Sequence, residues 1–194
     1  MVSTGANVNV LVVYASTEGQ TRKISAFISA RLATLGNKVT EVDASAVPHA
    51  LSPKSFDAAI LAGSLHVGRY QPALLQFARE HREQLNALPA LLISVSLSAA
   101  GSDANELRGI AECAERFKRE TGWHSAQVHQ AAGAFHYTQY SLLKRWAMTF
   151  IAWRKGVATD QDLEFTNWDA LAKIIDAFNA TLTRDSLTTS NAKP

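Results

Sequence analysis

Seven consecutive residues, "ASTEGQT" at 15–21, place three hydroxyls, a carboxylate, an amide and a glycine immediately after the apolar run "NVLVVY" at 9–14. The segment that follows has helical spacing, so the stretch stands where a strand hands over to a helix. Backbone N–H groups at a helix start have no intrahelical acceptor, and the positive end of the helix dipole faces the same way. An anion is what such a turn holds best. Ser16, Thr17 and Thr21 add hydroxyl donors, Gly19 lets the main chain curl closely around a phosphate, and Glu18 and Gln20 complete the turn. A triphosphate loop of the form GxxxxGK[ST] would supply a lysine for the outer phosphates and a hydroxyl for magnesium. Neither is in place, and the GxGxxG dinucleotide fingerprint is also missing. The turn suits a terminal monophosphate held by neutral donors. The plain alternative is a capped helix start, since Ser and Thr are ordinary N-cap residues.

Other reactive residue types are scattered. His124, His129 and His136 have neither tight metal-ligand spacing nor a nearby carboxylate, so no metal site is expected. Cys113, the sole cysteine, lies on the flank of an apolar helical face and reads as packing; alone, it excludes an internal disulfide and fits a reducing compartment, the cytoplasm. Ser64 and Ser96 follow strands, but no GxSxG elbow surrounds them and hydrolysis is not expected. No side chain stands out as a catalytic acid or base. The opening "MVSTGANVNV" lacks a basic region followed by a long apolar stretch, so neither a signal peptide nor a membrane anchor is read there. A formal charge of +2 is too small to argue for nucleic acid.

The elements that must position the turn follow from periodicity. With 194 residues, 47% of them apolar, the chain is long enough for one well-buried domain and short for two. Short β-branched runs alternate with longer segments at helical spacing, the pattern of a parallel sheet covered on both faces. Strands are expected at 9–14, 38–43, 57–63, 90–96 and 125–133. Ile24, Phe27, Ile28, Leu32 and Leu35 share one side of a first helix; Leu107, Ile110, Ala111, Ala114 and Phe117 share a side of a later one. Trp168, Leu171, Ala172, Ile175, Phe178 and Leu182 do the same for the last. The fold class is α/β, a three-layer sandwich. Residues 1–7 and 185–194 are small, polar and without period, and read as flexible ends to a domain spanning 8–184. The connection 134–164 is far longer than such units normally need.

"VVYASTEGQTRKI" resembles the FMN phosphate loop of the flavodoxin family, S/T-x-T/E-G-x-T after the first strand. "AGSLHVGRYQPALLQFAREH" at 62–81, "SVSL" at 94–97, "GAFHYTQY" at 133–140 and "FTNWDAL" at 165–171 resemble one branch of it, the bacterial menaquinone-dependent protoporphyrinogen dehydrogenases. The resemblance covers roughly residues 8–182 and implies a five-stranded parallel sheet in the order 2-1-3-4-5 with one FMN bound non-covalently. It implies that Ser16, Thr17, Glu18, Gly19, Gln20 and Thr21 hold the phosphate, and that Ser64, Leu65, His66, Val67, Gly68, Arg69 and Tyr70 line the isoalloxazine ring. Ser96, Leu97, Ser98 and Ala99 would flank the ring from the next loop, with His136 and Tyr137 completing the rim. For each aromatic the alternative is packing. The implied activity is oxidation of a reduced tetrapyrrole, protoporphyrinogen IX, with a membrane quinone as acceptor, a step of heme biosynthesis. A plain electron-transfer flavodoxin and an NAD(P)H:quinone reductase are the alternatives. One departure is that the branch's basic residues after the fourth strand are replaced by "SLSAAGSDANE".

Charge gives the long connection a character of its own. From Thr121 to Thr159 there is no Asp or Glu, while Lys144, Arg145, Arg154 and Lys155 fall within it. Leu143, Trp146, Ala147, Phe150 and Ile151 recur among them at helical spacing, with Trp153 near the end. Aromatics flanked by cations mark a segment drawn to an anionic lipid surface, which would place the protein at the cytoplasmic face of the inner membrane. Packing on its own domain or on a second subunit is the alternative. Electron-carrying flavodoxins are typically acidic, and a mildly basic chain disfavours that role.

Overall fold

The computed structural model describes residues 7–96, 104–132, 134–135, 163–164 and 166–190. The first apolar run forms β1 (Asn9–Ala15), and the turn after it leads into α1 (Gln20–Thr34). There follow β2 (Lys38–Asp43), a 3-10 turn at Pro53–Ser55, β3 (Ala58–Ser64), α2 (Pro72–Glu80), α3 (Arg82–Asn86) and β4 (Ala90–Ser96). The chain continues through α4 (Ala104–Thr121), β5 (Gln127–Ala132), the short β6 (Ala134–Phe135) and β7 (Leu163–Glu164), and α5 (Trp168–Ser190). The five long strands form one parallel sheet in the order β2-β1-β3-β4-β5, the order implied by the family resemblance.

Two apolar clusters sandwich this sheet. On one face Val10, Val12, Ile60 and Ile93 meet Ile24 and Ile28 of α1 and Leu171, Ile175 and Phe178 of α5. On the other, Leu11, Val13, Leu61 and Leu92 meet Leu74 and Phe77 of α2, Leu85 of α3 and Phe117 of α4, with Trp123 just beyond it. Alternate residues of one strand thus point to opposite cores, which is why β1, β3 and β4 are apolar at nearly every position. Gly63 of β3 is required by packing. A Cβ there would lie 2.5 Å from Leu74 Cδ2 and 2.9 Å from a Tyr70 ring carbon.

Element boundaries differ in places from the sequence reading. Asp57 precedes β3, where its carboxylate accepts from the Asn9 amide at 2.8 Å. β5 is shorter than 125–133, because Ser125 is used instead to join its amide to Asn86 Oδ1 and its hydroxyl to the Leu85 carbonyl. Leu35 caps α1, and Gly36 with φ 88° turns the chain out of it. α5 runs to Ser190, beyond the boundary at 184, as a helix already nucleated extends at little cost. β6 and β7 pair antiparallel and close the base of the long connection. Its residues 136–162, and the membrane-facing reading of Leu143, Lys144, Arg145, Trp146, Phe150, Trp153, Arg154 and Lys155, lie outside the described residues. Among the described residues no helix is long and apolar enough to cross a membrane.

Candidate functional site

β1 lies between β2 and β3, so the chain leaves it in one direction and returns in the other. An open parallel sheet has its crevice beyond the carboxyl ends of the strands at this reversal. Register brings the ends level: Ala15 pairs with Gly63, Gly63 with Ser94 and Ser94 with Gln130. The loops leaving β1 and β3 therefore face each other across a rim of small residues.

The turn at 16–19 is pinned from within. Ser16 Oγ accepts from the Gly19 amide at 2.9 Å, and Gly19 takes φ 87°, a left-handed conformation open to glycine without a Cβ penalty. Gly19 is the N-cap of α1; among the described residues no side chain caps this helix, and its first turn carries no acidic residue. The N-terminal amides of α1 and the positive pole they form are what an anion would meet at this turn. Thr17 is exposed at the rim, Glu18 is half-buried, and Thr21 and Gln20 are buried behind the turn. Gln20 Nε2 donates to Thr166 Oγ1 at 2.8 Å, tying the turn to the approach of α5.

On the opposite side Leu65 donates its amide to the Val95 carbonyl at 2.8 Å, and the chain then folds back as a tight hairpin. His66 and Arg69 exchange both backbone hydrogen bonds, at 2.9 and 3.1 Å. Val67 and Gly68 at the tip take φ 50° and 71°, the signs of a type I′ turn. A β-branched residue at positive φ is an outlier. Val67 also stands fully clear of the protein, at 102% relative exposure. Strain of this kind persists only where surrounding structure over-determines it, and it concentrates at ligand clamps. Here Arg116 of α4 supplies that structure by donating to the Gly68 carbonyl.

Tyr70 corrects an expectation. Its ring is 5% exposed, packs edge-on to Phe117 at 4.9 Å between centroids, and donates its hydroxyl to Ser94 Oγ at 2.7 Å. It supports the hairpin from beneath and offers no open face for a flavin to stack on. Burial pushes its phenol up to about 12, against a partial offset from the Ser94 hydrogen bond.

Two further residues emerge only in three dimensions. Gln71, the N-cap of α2, donates through Nε2 to Ser64 Oγ and to Thr17 Oγ1, the latter at 3.3 Å, and so stitches the two loops together. Among the described residues its Oε1 is buried without a partner. A Gln before Pro72 at a helix start signals a cap, but not the loop it reaches. Arg116 carries no sequence signal at all, being one basic residue among several on α4. Ser96 ends β4 on the same rim; Leu97, Ser98, Ala99, His136 and Tyr137 lie outside the described residues. Among the described residues no cluster of His, Cys, Asp and Glu could hold a metal ion.

A flavodoxin domain model matches residues 11–162. Protoporphyrinogen IX dehydrogenase [quinone] of Escherichia coli (strain K12) is 25% identical over 84% of this chain and 90% of its own length. The protein of the same name from Leishmania major is 25% identical over 88% of this chain and 74% of its own length. Among solved structures, a Streptococcus pneumonia TIGR4 flavodoxin superposes with a TM-score of 0.52 at 13% identity, covering 91% of this chain and 99% of that one.

Proposed function

This chain belongs to the flavodoxin domain family, and from that premise we propose that it binds one FMN and acts as an oxidoreductase, oxidising protoporphyrinogen IX with a membrane quinone as acceptor. The observation that carries the cofactor is the facing pair of loops, an uncapped helix start behind Gly19 and an exposed, strained Val67 tip, joined by Gln71. The described residues fit the group. Amides at the head of α1 with the hydroxyls of Thr17 and Thr21 suit the phosphate, and the hairpin presents apolar surface and main-chain groups to a ring. FMN, when bound, supplies the electron acceptor that the side chains lack. The protein's share is position: Ser16 and Gly19 fix one loop, Arg116 and Tyr70 the other.

The substrate reading rests on the activity named for the bacterial and Leishmania relatives, which this chain matches along most of their length. Each pair of electrons and protons leaving the tetrapyrrole would reduce one quinone to its quinol. The basic and aromatic stretch between Leu143 and Lys155 is the part of the sequence suited to meet the membrane that holds such an acceptor. The test is anaerobic oxidation of protoporphyrinogen IX by the FMN-loaded protein with a menaquinone analogue. Oxidation faster than in the FMN-free control is expected. No acceleration would overturn the enzyme and leave a carrier of electrons between proteins.

A further inference from the structure

Behind the Val67–Gly68 hairpin, between α2 and α4, lies an open groove of about 380 Å³. Its walls combine two chemistries. Pro72, Leu75, Tyr70 and Phe117 make an apolar floor, and Arg69, Arg79 and Arg116 place three guanidinium groups around it. Against these three cations stands one lining carboxylate, Glu120, which is exposed. Arg116 is committed to the Gly68 carbonyl and approaches Cys113 Sγ at 3.5 Å. Among the described residues Arg79 spends only its Nε, on the Glu120 carbonyl at 3.2 Å, which leaves its terminal nitrogens for another acceptor. Arg69 is exposed on the hairpin strand and has no side-chain partner among the described residues.

We propose that this groove receives the carboxylate arms of an amphipathic ring substrate, with Arg69 and Arg79 pairing with those arms. Guanidinium forks match carboxylates bidentately, and an apolar floor beneath them takes the hydrocarbon body to which the arms are attached. The volume lies within the range of small-molecule sites and suits one edge of a macrocycle better than the whole. Gly68 belongs to both the groove and the hairpin, so a ring anchored here by its acidic edge has its remaining edge at the candidate flavin rim. The inference rests on the tetrapyrrole reading above and deepens it, since a porphyrinogen with two propionates has this shape and charge.

The test compares mesoporphyrin IX with its dimethyl ester on the FMN-loaded full chain, by fluorescence titration. The diacid should bind at least about tenfold more tightly, and R69A/R79A, compared at saturating FMN, should bring the two ligands to equal affinity. R79K should restore part of the preference when Arg69 is kept. Equal affinity of diacid and diester for the unaltered protein overturns the proposal, as does displacement of the diacid by micromolar NADPH, which would assign the guanidiniums to nucleotide phosphates. The two readings fail separately. Protoporphyrinogen oxidation with the same KM in R69A/R79A sinks the groove and keeps the enzyme; diacid preference without oxidation sinks the enzyme and keeps the groove.

Discussion

The two loops that face each other across the crevice hold unusual backbone by opposite means. The loop after β1 sets its unusual backbone locally: Gly19 adopts φ 87° with nothing among the described residues within 4 Å of where a Cβ would be, and the Ser16 hydroxyl three residues away fixes it. The hairpin after β3 is held from outside. Val67 has no intrinsic preference for φ 50°, and the tip owes its shape to Arg116 from α4 and to Tyr70 seated on Phe117. A loop of the first kind answers chiefly to its own residues. One of the second kind responds to residues far away in sequence, and comparing FMN with riboflavin, which lacks the phosphate, separates the two.

The largest effect is expected at Phe117, which touches both Tyr70 and Trp123 and is 2% exposed. Phe117→Ala should cost about 3–5 kcal/mol of stability in urea unfolding. With the seat of Tyr70 gone, FMN and riboflavin affinities should fall by the same factor. A fall confined to FMN would show that the hairpin does not depend on the helix beneath it.

Gly19→Val is the converse. The space is open among the described residues, so the penalty is backbone strain of about 1–2 kcal/mol, and a β-branched side chain will sit toward the upper end. FMN affinity should drop while riboflavin affinity holds. An unchanged ratio would remove the phosphate from this turn.

That contrast also explains what was legible in the sequence. Glycine, hydroxyls and a following helical period are local signals, so the turn after β1, the strand before it and the helix after it can be read directly, as can the sheet order through the family resemblance. The hairpin's conformation depends on contacts 24 and 48 residues away, from Tyr70 to Ser94 and from Arg116 to Gly68. No local pattern encodes them. Tyr70 illustrates the cost: as an aromatic beside a glycine it reads as a ligand contact, whereas its pairing with Ser94 makes it core. Gln71 is hidden for the same reason, since its partners Thr17 and Ser64 come from two other elements.

Tyr70→Phe tests the buried support more gently. It removes the hydroxyl that Ser94 accepts from, at an expected cost of about 1 kcal/mol. The pH dependence carries the sharper signature. In the folded state the phenol holds its proton to about 12, whereas in the unfolded chain it ionises around 10.0, so the unfolded state binds fewer protons between these values. Stability should be level below pH 10.0 and fall as pH rises toward 12, and the Phe variant should lack this contribution to the slope. Identical alkaline profiles would show that the phenol is not desolvated as packed.

The smallest effect should come from Val67→Gly, and its sign is what matters. Relieving a β-branched residue at φ 50° gains about 1–2 kcal/mol, and the added freedom of glycine in the unfolded chain returns about 0.5–1 of it. A net stabilisation of no more than about 1.5 kcal/mol is expected. The same change deletes the apolar tip that stands wholly exposed beside the crevice, so FMN and riboflavin should both bind a few-fold more weakly with their ratio unchanged. A more stable protein that grips its ring less well is what a strained clamp predicts. Were Val67→Gly less stable and unaltered in binding, the hairpin would be one more turn on the surface, and the two loops would no longer form a pair.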